Sequence, residues 1–280
     1  GDAEAGSALR AHLDFFLDDE KGVVFNDPRS NLRENGNFHS REDFLPFTAI
    51  ASVYPEHKAV SMFLEWAAPH MERSAKIPPN RRFLSTEMCY TYAYPLMKIA
   101  VARGDAKLAQ TALDEILAGV DRLVCPDGGI CQSAQANRNP KLKNWGRGAA
   151  WYMLGIAQTL RALGGSPLKN AGLNGVERVK KAFAGGAEYL SRFQNPDGSW
   201  HCFADDPATL PESSGTAGIA AAFALGAESG LLDSSYMARA EKALEWFMSP
   251  QNIEPDGFSK NVTQSNRIGD AFQRSVYRVI

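Results

Sequence analysis

Apolar residues recur every three or four positions along most of this chain, the spacing of a helix face. In GSALRAHLDFFLD (6–18), Leu9, Leu13 and Phe16 form one stripe. The same period predicts helices over 57–74, 84–102, 105–124, 147–163, 176–194, 213–229 and 234–248. Pro69 is expected to kink or stop the helix it sits in, because proline lacks an amide hydrogen and crowds the preceding turn. No run alternates apolar and polar residues long enough to make a sheet, and VVF at 23–25 is too short to carry one. ARGD (102–105), LGG (163–165) and ESGLLD (228–233) read as links between successive helices.

A weak repeat orders these helices. CPDGGICQS (125–133), NPDGSWHCF (195–203) and EPDGFSKNV (254–262) each set Pro-Asp-Gly just after a helix. Proline fixes its own φ and glycine accepts a positive one, so the tripeptide makes a tight turn. Its glycines stand at 128, 198 and 257, with about two helices in each interval. Segments 147–163 and 213–229 are apolar on most sides, whereas 105–124 and 176–194 carry more Lys, Glu and Asp. Buried helices alternating with exposed ones predict an all-α fold, an (α/α) toroid of nested helices in a single domain over 1–280. The small residues of SSGTAGIAAAFALGAES (213–229) let helices approach closely or leave a cavity at their ends. The long loops after Pro-Asp-Gly, collected at one end, are where such a fold can build a site.

Composition then removes several classes of function. The net charge of -2 gives no basic surplus for nucleic acid. No apolar run approaches the ~20 residues that span a bilayer. The leading Gly1 reads as a processing or cloning scar. Cys89, Cys125, Cys131 and Cys202 fit no metal-ligand spacing and leave room for one incidental bridge. The five histidines have no ligand spacing either, and no phosphate loop, HExxH helix or Gly-x-Ser-x-Gly elbow is present. Neither a metal nor a cofactor is expected.

Four stretches carry candidate chemistry. In NWGRGAAW (144–151), Arg147 and Trp151 are four apart and share a helix face, with Trp145 at the first turn. Arginine's planar fork suits a carboxylate, the helix start adds amide donors, and indoles stack on sugar rings. Gly146 and Gly148 are expected to keep the turn open, so the composite reads as a uronate pocket. The plain alternative is a core Trp151 with Arg147 bridging two helices. In GNFHSREDFLPF (36–47), His39, Arg41, Glu42 and Asp43 precede an apolar helix, either as site residues or as caps and surface pairs. In RRFLSTEMCYTYAYP (81–95), Ser85 or Thr86 is expected to cap a helix with Glu87 in its first turn. Aromatic neighbours would strip water from Glu87 and raise its pKa, which suits a general acid, and the plain alternative is an ordinary first-turn glutamate. In WHCFADDPATLPESSGTA (200–217), Trp200, His201, Asp205, Asp206 and Glu212 stand at a loop and helix start, with Glu212 before two serines either a site residue or simply a cap for helix N–H groups.

With WGRGAAW beside DGSWHCFADDPATLPESSGTAGIAAAFALGAESGLL, the chain resembles the unsaturated uronyl hydrolases, glycoside hydrolase families 88 and 105, closest to unsaturated rhamnogalacturonyl hydrolases. Roughly residues 36–248 follow that family's order of motifs. The resemblance implies an (α/α)6 barrel, here complete or shortened. It implies hydration of the C4–C5 double bond in the terminal unsaturated uronic acid of lyase-generated oligosaccharides, without a catalytic metal. It further implies a bacterial protein of periplasm or cytoplasm, monomer or homodimer, whose partner is an acidic oligosaccharide rather than nucleic acid or membrane. Trp145, Arg147 and Trp151 match the substrate-binding block, and Trp200, His201 and His39 are the other expected binding residues. Asp43 falls where the family keeps an acid. The family's catalytic aspartate corresponds, counting back from Pro95, to Met88, one residue from Glu87. Glu87 and Asp43 are therefore the expected catalytic pair. The histidine expected before the tryptophan–arginine block is absent, and Gln132 to Gln135 occupy that region. A divergent glycosidase on saturated uronides and a non-catalytic uronide-binding protein stay open as alternatives.

Overall fold

The computed structural model describes residues 3–23 and 44–263. Helix α1 (Ala3–Phe16) leads into a two-residue hairpin of β1 (Leu17–Asp18) and β2 (Gly22–Val23). Then come α2 (Phe47–Val53) and α3 (Lys58–Lys76). Pro69 neither stops nor ends α3, which runs through it for 19 residues. Strand β3 (Leu84–Ser85) precedes a π-helical turn at Cys89–Ala93, which continues as α4 (Tyr94–Arg103). Gly104 closes α4 in the left-handed conformation, φ 68°, and Asp105 caps α5 (Ala106–Leu123) by accepting from the Leu108 amide at 2.9 Å. Strands β4 (Cys131–Ala134) and β5 (Lys141–Lys143) precede α6 (Gly146–Gly164). Helices α7 (Val176–Ser191), α8 (Ser213–Glu228) and α9 (Ser235–Phe247) complete the described order.

Packing sorts these helices into two layers. In α4, α6 and α8 apolar residues are buried around most of the circumference, from Leu96, Ile99 and Ala100 to Tyr152, Met153 and Ile156 to Ile219, Ala222 and Phe223. In α5, α7 and α9 one stripe is buried: Ala112, Leu113 and Ile116; Val179, Phe183 and Leu190; Ala240 and Ala243. Helix α6 lies chiefly against α8, α8 against α9, and α4 against α5. That is the inner-and-outer alternation the apolar pattern predicts, in an all-α toroid architecture. Among the described residues, no helix is long and apolar enough to cross a membrane.

The three Pro-Asp-Gly segments are the same structure three times. The glycine amide donates to the carbonyl three residues earlier, Gly128 to Cys125, Gly198 to Asn195 and Gly257 to Glu254, each at 2.9 Å. All three glycines have φ between 90° and 99°. Each aspartate accepts from the amide two residues on: Asp127 from Gly129, Asp197 from Ser199 and Asp256 from Phe258. Each turn folds the chain back from an outer helix toward the start of an inner one.

The small sheet was not expected. Strand β4 pairs with β3 (Leu84↔Ala134, Ser85↔Ser133) and with β5 (Cys131↔Lys143, Ser133↔Lys141). Its strands are two to four residues long, too short to show alternation in sequence. They tie the approach to α4 onto the loop before α6.

Candidate active site

The inner helices begin at one end, and cross-links between their approach segments hold them there. The Thr86 amide donates to the Gln132 carbonyl at 2.8 Å, Gly146 to Cys202 at 2.7 Å, and Ser213 to Asn261 at 2.9 Å. Asn144 ties the middle together. It is fully buried at φ 61°, a left-handed conformation in which asparagine is enriched. Its Oδ1 accepts from the Ile130 amide (3.1 Å), its Nδ2 donates to the Tyr189 hydroxyl (2.9 Å), and its carbonyl accepts from the Ala204 amide (2.7 Å). Two loops and α7 thus meet on one residue that sequence reading passed over. Its signal was an asparagine directly before a helix start.

Arg147 is held by α8. Its Nε donates to Ser214 Oγ at 2.8 Å, and its Nη2 donates to the Thr263 carbonyl and lies 3.6 Å from Glu212 Oε1. Its guanidinium carbon stands 5.4 Å from the ring centre of Trp145, a cation–π arrangement. The plain alternative for Arg147, a bridge between two helices, is therefore what the structure contains. The side chain keeps 19% exposure, so the bridge still fronts solvent. Glu212 is the cap that its two serines announce. It is fully buried and accepts from Ser214 Oγ, the Gly215 amide and the Thr263 amide.

Glu87 opens the segment into α4 and is half-buried. The expected cap is not made: Ser85 lies in β3, and Thr86 Oγ1 is buried without a hydrogen-bond partner. One turn on, Tyr90 packs against Trp151 (ring centres 5.5 Å) and stacks with Tyr94 (6.0 Å). Burial raises the pKa of both tyrosines. The π-turn here presses on α6. A Cβ added to Gly155 would lie 2.3 Å from the Cys89 carbonyl carbon, so only glycine admits the widened backbone. Among the described residues nine buried side-chain polar atoms lack a hydrogen-bond partner, and five of them lie in these segments: Thr86 Oγ1, Trp145 Nε1, Trp151 Nε1, Ser213 Oγ and Thr263 Oγ1.

The structure thus brings Glu87, Trp145, Arg147 and Trp151 to one end, and other expectations change. Trp145, 2% exposed among Leu142, Cys202 and Phe203, is a platform for Arg147 rather than an open sugar-stacking face. Trp200 has no exposed surface; its indole donates to the Leu190 carbonyl at 2.9 Å and it packs on Phe223, so it belongs to the core. His201 turns its Nδ1 to the Thr209 carbonyl within its own loop. Gly146 and Gly148 do not hold a gap open: a Cβ would meet the His201 carbonyl at 3.0 Å and the Gln132 side chain at 3.1 Å, respectively. His39 and Asp43 lie outside the described residues.

Comparisons with known proteins agree with this architecture. The family model of Glycosyl Hydrolase Family 88 matches residues 90–279, which hold Trp145, Arg147, Trp151, Trp200 and His201 and begin just after Glu87. A possible member of family GH105 from Klebsiella pneumoniae subsp. pneumoniae MGH 78578 is 20% identical with a TM-score of 0.77, over 100% of this chain and 73% of its own. The unsaturated glucuronyl hydrolase of Bacillus sp. GL1, responsible for the degradation of glycosaminoglycan, is 18% identical with a TM-score of 0.62, over 93% and 72%. A polysaccharide lyase is 18% identical with a TM-score of 0.69, over 99% and 80%. No curated protein matches the sequence.

Proposed function

This chain belongs to Glycosyl Hydrolase Family 88, and on that footing we propose that it hydrates the C4–C5 double bond of a terminal unsaturated uronic acid in lyase-generated oligosaccharides. The observation that carries the reading is the chemistry of the inner-helix starts. A half-buried acid, Glu87, and an arginine that fronts solvent, Arg147, stand where several buried polar atoms lack partners. Such atoms are costly in a dry protein, and a hydroxyl-rich ligand or its waters would relieve them.

The reaction needs a proton at C4 and a water at C5. Protonation of the enol-ether carbon leaves positive charge shared by C5 and the ring oxygen. Water adds there, and the resulting hemiketal opens and releases the neighbouring sugar. Glu87 is the proposed proton donor, with Asp43 as the second acid that holds the water. Arg147 is the proposed partner of the uronate carboxylate, through the part of its fork that faces solvent.

The π-turn supports Glu87 as the acid. The family's pattern, counted back residue by residue from Pro95, points to Met88, one place from Glu87. A π-turn fits one extra residue into a turn. Across Cys89–Ala93 that surplus turns Glu87 toward the angular position that Met88 would take in an unbroken helix, which favours the glutamate as the acid.

The test is incubation with unsaturated uronyl disaccharides, followed at the ultraviolet absorbance of the double bond. Hydration removes the absorbance. A lyase acting on the parent polysaccharide creates it instead, and either that result or no change with both substrates overturns the reading.

A further inference from the structure

Cys125 and Cys131 bracket the first Pro-Asp-Gly turn, and their Sγ atoms lie 3.2 Å apart. The turn itself sets that distance. Val124 and Ile130 form an antiparallel bridge, and the Cys125 amide donates to the Gly129 carbonyl at 2.8 Å. The two cysteines therefore sit on adjacent, hydrogen-bonded limbs of one hairpin with their thiols in contact. Cys125 is partly exposed and Cys131 is buried. The other two thiols differ: Cys89 is sealed in the main core, and Cys202 lies in the cluster with Leu142, Trp145 and Phe203.

We propose that Cys125 and Cys131 are a reversible dithiol/disulfide site, oxidised by small-molecule disulfides such as oxidised glutathione. Cys125, the accessible thiol, attacks one sulfur of the oxidant as thiolate and displaces a glutathione thiolate, leaving a mixed disulfide. Cys131 then attacks Cys125 Sγ, the protein S–S bond forms, and the second glutathione leaves as its thiolate. The two protein thiols give up two electrons and two protons, and the oxidant leaves as two thiols. Burial, and after it the neighbouring Cys125 thiol, pushes the Cys131 thiol up to about 12. The mixed disulfide removes the contribution of the ionisable Cys125, which eases the second step. The Lys143 ammonium also favours the Cys131 thiolate.

The site would act on the approach to the inner helices. Cys131 opens β4 and pairs with Lys143, which binds Asp127 in the turn. The next residue, Gln132, accepts from the Thr86 amide and lies against Gly148. Oxidation would clamp the turn to the strand joining the starts of α4 and α6. None of this depends on the proposed reaction.

The experiment uses the whole native protein. It is incubated with oxidised glutathione and then denatured, and one portion is counted for thiols with Ellman's reagent while another is alkylated and mapped by mass spectrometry. The expected result is a fall from four thiols to two, a Cys125–Cys131 linked peptide, and a melting midpoint raised by several degrees that dithiothreitol reverses. Cys131→Ser should instead accumulate a glutathione adduct on Cys125. Four thiols persisting in the parent, or an unresolved adduct on its Cys125, overturns the proposal. Both of those readings come from the unmutated chain.

Discussion

Two glutamates introduce inner helices, Glu212 at α8 and Glu87 ahead of α4, and their surroundings are opposite. Glu212 has no exposed surface, and its oxygens accept from two amides and a hydroxyl beside the Arg147 cation. Glu87 is half-buried, next to a threonine hydroxyl with no partner, in a helix that starts with a widened turn. Glu212 is committed to the backbone of the helix start that it caps. The same residue type thus serves folding at the start of α8 and is the proposed acid ahead of α4. The difference lies in which loop returns over the helix start. Residues 261–263 return over α8, with the Ser213 amide bonded to Asn261 and the Thr263 amide to Glu212.

Substitution separates the two roles. Glu87→Gln should lower turnover by ~10²–10⁴, the usual worth of general acid–base catalysis, with little change in melting midpoint. Steady-state kinetics beside a thermal melt measures both, and a variant that loses stability but keeps turnover would make Glu87 a second Glu212. Glu212→Gln should do the reverse, costing about 3–5 kcal/mol of unfolding free energy in a urea titration because a buried charge partner is removed. Arg147 stands between the two roles. Arg147→Met should weaken binding of an acidic sugar by about 1.5–3 kcal/mol, the worth of a charged hydrogen bond, and leave a neutral sugar almost unaffected. Calorimetry with both ligands decides, since equal losses mean that the arginine only pins α8.

The smallest expected effect lies in the first turn. The Lys143 ammonium, and after it the Gly129 amide, hold the Asp127 carboxyl below its ordinary range. A lowered folded pKa stabilises above the unfolded value, about 3.9, and the gain is lost as pH falls through the folded value. Both partners are substantially exposed, so solvent screens most of it. Melts of Asp127→Asn should sit slightly below the parent at neutral pH and coincide with it in strong acid.

Much of the fold was legible because helix burial is periodic. The predicted segments 105–124 and 213–229 lie within a residue of α5 and α8, whose sequences carry a local cap at Asp105 and Glu212. The Pro-Asp-Gly turns were legible for a similar reason, since their geometry is set within five residues. The site was legible only in part. Trp145, Trp151 and Trp200 look alike in sequence, yet Trp200 is sealed by Leu190 and Phe223, and Trp145 by Phe203, all from other segments. Whether an indole faces a ligand or a neighbour is decided by packing across tens of residues. The roles of Asn144 and Gln132 likewise depend on partners that only the folded chain supplies.

The π-turn at Cys89–Ala93 makes the length of this segment a heritable trait separate from its composition. The far half of the helix is fixed by Leu96, Met97, Ile99 and Ala100 in the core, so an insertion or deletion in the turn is felt on the side toward Glu87. One residue more or less swings that side through about 100°. It also shifts β3 by one place against β4, and in a strand a single step exchanges the two faces. Losing the surplus residue would therefore turn Glu87 away and present Leu84 to the wrong side of the sheet in one event. Gly155 would meanwhile face a gap in place of the widened backbone. Side chains here can drift one at a time, but residue count can change only with compensation on a second helix.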